Sequence, residues 1–270
     1  MSASFSFNVF SLPTGERAWI PEDIELRIPE KSPLDGRDLQ ALIYLPWHKR
    51  YLEQVDPAWR EFFKVVLPHL HARSVDVHVV TCLPFVKELI HAGEGQADER
   101  VAHSAFMLHD SGWSRMSELE IAQSLGVQGL SLSGEAVKPK VKHAILGQQI
   151  AQKILDRTPF HPPLTLEQKE AIYQIILFHD RPRELAGGWI PISLKVVCDA
   201  DHLWSFTHLN FWQDTLRKGV KPDAYLENLG KDLEDYFVSE PGKQKARQLL
   251  KERGMETEAW KATRKIRKVR

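Results

Sequence analysis

The stretch ADERVAHSAFMLHDSG, residues 97–112, decides how this chain is read. Asp98 is placed to cap a helix. Val101, Ala102, Ala105, Phe106 and His109 then fall on one stripe, and Gly112 is expected to end the element. An apolar run of this kind belongs in a core, yet it finishes on His109 and Asp110. A carboxylate or imidazole buried without a partner is costly, so such groups are hydrogen-bonded, ion-paired or bound to a metal. Their partners must come from other parts of the chain.

Four further segments supply them. In DVHVVTCLPFVKELI, His78 shares an apolar face with Cys82, Phe85, Val86 and Leu89, although Pro84 is expected to kink the helix. In KPKVKHAILGQQIAQKIL, Pro139 suits a first turn and His143 lines up with Leu146, Gly147, Ile150, Ala151 and Ile154. Gly147 lets a neighbouring helix come close. TLEQKEAIYQIILFHD opens with Thr165 and Gln168 in capping-box positions and runs through Ile172, Ile175 and Ile176 to His179, where a second His-Asp pair stands at 179–180. In PISLKVVCDADHLWSF both Asp199 and Asp201 fall on apolar stripes, and periodicity does not choose between them.

One inward histidine is usually a hydrogen-bonded core residue, but several on separate helices would each need a buried partner. His78, His109, Asp110, His143 and His179, with Asp201 or Asp199, form a nitrogen and oxygen donor set. That mixture suits Mn, Fe, Co, Ni or Zn and not a thiolate site.

Composition narrows the functional classes. Lys plus Arg balances Asp plus Glu at 36 each, so no global field draws the protein to nucleic acid or an anionic membrane. No segment approaches the roughly 18 apolar residues of a spanning helix, and the start MSASFSFNVFSLPTGER does not read as a signal peptide. Cys82 and Cys198 sit in apolar contexts without a pairing framework, as buried thiols in a reducing compartment do. A cytoplasmic protein is expected. Residues 1–40 read as an irregular extension with at most one short strand, 41–260 as an all-α domain, and 261–270, KATRKIRKVR, as a basic, solvated tail. Within the helical part, ALIYLPWHKRYLEQ is expected to be helical and the periodicity fades near residue 253.

The order His78, His109-Asp110 and a late aspartate in VVCDADHL resembles the HD superfamily of metal-dependent phosphohydrolases, whose fold is an all-α HD-domain helical bundle. The 31-residue gap between the first two histidines and the run AFMLHDSG are similar to that family's pattern, and the likeness covers His78 to Leu203. DADHL and SEPGKQKARQLLKER also look like a bacterial branch carrying a DADRLD segment. SGWSR lacks the lysine that HD-GYP cyclic-dinucleotide phosphodiesterases place after the pair, and no GYP follows His179, which argues against that activity.

The resemblance implies that His78, His109, Asp110 and Asp201 hold one divalent ion, with Asp199 as the alternative late ligand. His143 and His179 resemble the two extra histidines that hold a second ion or contact phosphate in some members, so one or two ions are expected, and Asp110, His143 and His179 are the expected catalytic residues. Arg115, Lys142, Arg181 and Arg183 lie within a few residues of these ligands and are expected to contact substrate phosphate. Trp113 and Trp189 are expected to pack rather than stack on a base, and Gly187-Gly188 suggests a lid. The expected activity is hydrolysis of a small phosphate ester, most simply a nucleotide, by a metal-activated water. The alternatives are a mixed-valent di-iron HD-type oxygenase and a non-catalytic helical binding or regulatory module.

Overall fold

The computed structural model describes residues 5–11, 17–27, 43–93, 96–127, 137–185 and 189–268. The fold is essentially all-α, as the periodicities predict. In chain order the helices are α1 (Lys49–Gln54), α2 (Pro57–Val66), α3 (Val75–Ala92), α4 (Glu99–Leu108), α5 (Glu118–Ser124) and α6 (Val137–Arg157). They continue with α7 (Leu166–Phe178), α8 (Ile192–Leu203), α9 (His208–Arg217), α10 (Pro222–Tyr236) and α11 (Glu240–Lys268). Among the described residues no helix is long and apolar enough to cross a membrane.

Helix α4 is the axis. Every residue from Val101 to Leu108 is buried, the mark of a helix enclosed on all sides. It packs on α3, α7 and α8, while α6 closes the ring by packing on α7 and on the 3₁₀ turn Ser111–Arg115. The local signals work as read: Asp98 accepts from the Arg100 and Val101 amides, and Thr165 with Gln168 forms both bonds of a capping box. Helix α3 continues through Pro84, whose side chain lies on the exposed face. Cys82 and Cys198 are buried free thiols.

The amino-terminal region is more ordered than an irregular extension. Strand β1 (Phe7–Ser11) pairs antiparallel with β2 (Arg17–Pro21), and Phe7 meets Trp212 of α9 edge-on at 5.5 Å. Most of ALIYLPWHKRYLEQ is not helical. Tyr44 and Arg27 exchange backbone bonds at 2.9 and 2.8 Å, and Pro46 disfavours the helical region for Leu45, so α1 starts only at Lys49. Residues 1–4, 12–16 and 28–42 of this region, and the Gly187-Gly188 pair, lie outside the described residues. At the other end, α11 carries helix past residue 253 into the basic segment as far as Lys268.

A partly buried polar network ties the two ends together. His208, at the start of α9, accepts or donates at both ring nitrogens, with Glu256 of α11 at 2.9 Å and Asp23 at 3.1 Å. Glu256 also takes the Trp212 indole N–H at 2.9 Å and pairs with Arg253 at 2.8 Å. Burial opposes protonation of His208, but the two carboxylates outweigh it and raise its pKa. A histidine pKa raised by folding contributes stability fully below its unfolded value near 6.5, and that contribution is lost as pH rises through the folded value. His208→Ala should therefore cost about 1–2 kcal/mol at pH 6 and distinctly less at pH 9. Denaturant unfolding of both proteins at each pH checks this, and an equal deficit at the two pH values would count against it.

Candidate metal centre

Two helices end alike at the site. Helices α4 and α7 each run straight into a His-Asp pair. His109 Nδ1 lies 2.6 Å from the Phe106 carbonyl and His179 Nδ1 lies 2.8 Å from the Ile176 carbonyl. A carbonyl only accepts, so both rings carry their proton on Nδ1. These carbonyls are among the last of their helices and have no helical partner of their own. The arrangement fixes the tautomer and turns each Nε2 lone pair inward, as outer partners do for metal-binding histidines.

Around them the remaining groups converge. His78 comes from α3, His143 from α6 and Asp201 from α8; His78, His109, His143, His179 and Asp110 are buried. His78, His109, Asp110 and Asp201 offer ligand atoms all within 4.8 Å of one another, as do Asp110, His143 and His179. Asp110 belongs to both groups. Its Oδ2 lies 3.5 Å from both His78 Nδ1 and His109 Nε2, while its Oδ1 lies 3.3 Å from His143 Nε2 and 3.6 Å from His179 Nε2. Asp201 Oδ1 faces His78 and His109 Nε2 at 3.4 and 3.3 Å.

The donor set fits a divalent cation on its own chemistry. Nε2 of His78 is buried and makes no hydrogen bond. The Nε2 atoms of His143 and His179 face each other at 3.3 Å, a contact between two lone pairs unless a proton or a metal stands between them. Burial disfavours charge on every group here, yet the histidines hold Asp110 and Asp201 well below the usual carboxylate range. In return, despite burial, Asp110 and Asp201 raise His109 to a pKa of about 9. The fixed positive charge nearby is small for three converging carboxylates, and a metal ion is the natural remedy.

The third carboxylate is Asp180, of the second His-Asp pair. It accepts from Lys140 at 3.2 Å and stands 3.7 and 3.8 Å from the Nε2 atoms of His143 and His179. It also forms a further candidate metal group with His179 and Asp201. The duplicated His-Asp at a helix end was the signal that could have found it.

Asp199 is engaged elsewhere, by packing against the start of α11. Asp199 accepts from the Val238 and Ser239 amides at 2.8 and 3.0 Å and from the Ser239 hydroxyl, fastening the start of α11. A Cβ on Gly242 would come within 2.3 Å of Asp199 Oδ2, so the contact is close. Burial pushes the Asp199 pKa up to about 6 against those donors.

No protein-family model matches this chain, and comparisons with curated proteins and with solved structures found no match. What the site can do must be read from its own walls.

Those walls enclose a cavity of about 70 Å³, lined by His78, Asp110, Asp180 and Asp201 and by Arg73, Lys140, Tyr236 and Trp204 among others. Arg73 and Ser74 both adopt left-handed backbone, at φ 60° each. Such strain in residues other than glycine persists only where the surroundings enforce it. Here Ser74 Oγ accepts from the Leu45 amide at 2.9 Å, and the Arg73 guanidinium sits 4.7 Å over the Trp113 ring. Trp113 stacks on His143 at 4.2 Å and its indole donates to Asp110 Oδ1 at 2.9 Å. Trp113 is thus packed, whereas Trp189 is 68% exposed and does not line the cavity.

The four cations chosen from sequence proximity do not line the cavity either. Lys142 pairs with Glu120 at 2.5 Å, Arg181 pairs with Glu184, Arg183 donates to the Asp235 carbonyl at 3.0 Å, and Arg115 is exposed. Side chains next to a ligand in sequence point away from it on a helix or turn; Arg73 and Lys140 take their place.

Gly112 explains the spacing after the His-Asp pair. A Cβ there would fall 1.8 Å from the His143 carbonyl oxygen and 2.6 Å from the Gly147 nitrogen. Gly112→Ala should therefore push α6 away, cost about 3 kcal/mol and weaken metal binding. Asp201→Asn should lower metal affinity at least roughly tenfold with helical circular dichroism retained, whereas Asp199→Asn should lower Tm and leave metal stoichiometry unchanged. Metal titration with thermal melts separates them, and the reverse pattern would reassign the late ligand to Asp199.

Proposed function

We propose that the chain is a metal-dependent phosphohydrolase of HD type, acting on a small phosphate ester. The observation that carries this reading is Asp110, which turns one oxygen toward His78 and His109 and the other toward His143 and His179. A carboxylate so placed suits two ions, with Asp201 completing the first group. A bound divalent ion supplies Lewis acidity, lowering the pKa of a water it holds and offsetting charge on phosphoryl oxygens.

The chain's own residues do the rest. His109 and His179 are held in a fixed tautomer by the Phe106 and Ile176 carbonyls, so their inward nitrogens need no reorganisation. Arg73, over Trp113 at the cavity wall, presents a guanidinium to phosphate oxygens, and Lys140, braced by Asp180, adds a second positive charge. The cavity of about 70 Å³ suits a phosphoryl group and a few waters. A nucleotide substrate would keep its base outside. Four imidazoles with carboxylates also suit iron, which keeps the di-iron oxygenase as the second reading.

Elemental analysis of protein purified without chelator, beside the His109→Ala/Asp110→Ala variant, is the decisive test. One or two ions per chain, lost in the variant together with at least roughly 100-fold of p-nitrophenyl phosphate or nucleotide hydrolysis, is the expected result. Two irons with turnover that requires O₂ would favour the oxygenase. A chain that binds no ion even when divalent metals are supplied would leave the non-catalytic module. Arg73→Ala should keep its metal while losing roughly 10–100-fold in kcat/KM, mainly through KM.

A further inference from the structure

We infer that a second cavity, remote in its lining from the metal centre, binds a nucleoside polyphosphate. This cavity of about 450 Å³ lies between β2, the α9–α10 turn and α11, and shares no lining residue with the metal cavity. Its size falls in the range of small-molecule sites, unlike the metal cavity.

Its charge is one-sided. Arg17 of β2, Lys221 before α10 and Arg264 of α11 line it, and no carboxylate does. The whole chain is neutral, with 36 cationic and 36 anionic side chains, so three cations from three separate elements around one hollow are a local concentration. Among the described residues these cations have no ion-pair partner, and Arg264 rests 4.9 Å over the Trp260 ring. Of the acidic groups nearest in sequence, Glu258 pairs with Lys261 at 2.9 Å, and Asp223 accepts from the Ala224 amide at 3.0 Å.

The remaining wall is aromatic and apolar. Trp19 is half-buried and Trp260 buried, and both face the cavity together with Leu216, Val220 and Pro222. Two guanidinium forks and an ammonium match a chain of phosphates, and the indoles offer a surface for a planar ring. A ligand that joins a polyphosphate to an aromatic base answers both halves. A local hollow with indoles on its wall suits one such molecule better than a strand of nucleic acid, which needs a continuous basic track with successive stacking platforms.

Isothermal titration calorimetry of the full chain as purified, in magnesium-free buffer of low ionic strength, tests the assignment with ATP, tripolyphosphate and adenosine as probes. One ATP per chain is expected, with tripolyphosphate and adenosine each at least roughly tenfold weaker. Arg17→Ala/Arg264→Ala should weaken ATP binding at least roughly tenfold at unchanged Tm, and Arg73→Ala at the metal cavity should leave it intact. If the double variant melts early, the single change Lys221→Ala at an exposed position should show the same direction of loss.

The inference fails if ATP gives no binding at millimolar concentration, or if tripolyphosphate binds as tightly as ATP. Loss on Arg73→Ala with no effect of the double variant would place ATP at the metal centre instead. Tighter binding of a single-stranded octanucleotide than of ATP would assign the surface to nucleic acid. None of these outcomes depends on whether the metal centre hydrolyses phosphate esters.

Discussion

Electrostatic neutrality inside the core is the constraint on which this structure depends. Asp110, Asp180 and Asp201 converge with four imidazoles among helices whose other inward residues are apolar. Ionised carboxylates removed from water without compensation would outweigh the small net stability of a whole domain. The histidines meet part of the demand by taking up protons, as the raised His109 shows, and Lys140 meets another part. A divalent ion would meet it more completely, because it would attract every inward lone pair at once, including the His78 Nε2 that otherwise makes no hydrogen bond. The fold is arranged so that a cation neutralising the core would lie at the floor of an accessible cavity.

That arrangement depends on backbone proximity as much as on charge. The turn after Asp110 lies directly on α6, with Gly112 and Gly147 allowing main chain to meet main chain beside His143. Without that contact His143 would stand off from Asp110, and the two halves of the site would not share a carboxylate. Trp113 then fills the corner, joined to His143 by stacking and to Asp110 by a hydrogen bond, so side-chain packing and ligand orientation become one contact.

Much of this was legible in the sequence. His78, His109, His143 and His179 each sit on an apolar stripe, and burial follows the stripes closely. Capping at Asp98 and Thr165 was readable because it depends on neighbours three residues away. What could not be read depends on contacts distant in sequence. Asp199 and Asp201 differ in role only because α11 returns to meet one of them. Arg73 reaches the cavity through two left-handed residues that no periodicity encodes, and Lys140 reaches it from one turn before His143. The hairpin at the amino terminus was missed because its strands are short and its stability comes from packing on α9.

The grip of Asp199 on Val238 and Ser239 also bears on when the candidate site is assembled. Asp201 stands two residues from Asp199 on α8, so its place depends on an element made after it. Chains emerge amino terminus first. A nascent chain would therefore present the four histidines and Asp110 before the helix bearing Asp201 had anything to brace it. The site is complete only once α11 has folded back onto α8, and a ribosome-bound fragment ending before α11 would leave Asp201 unbraced.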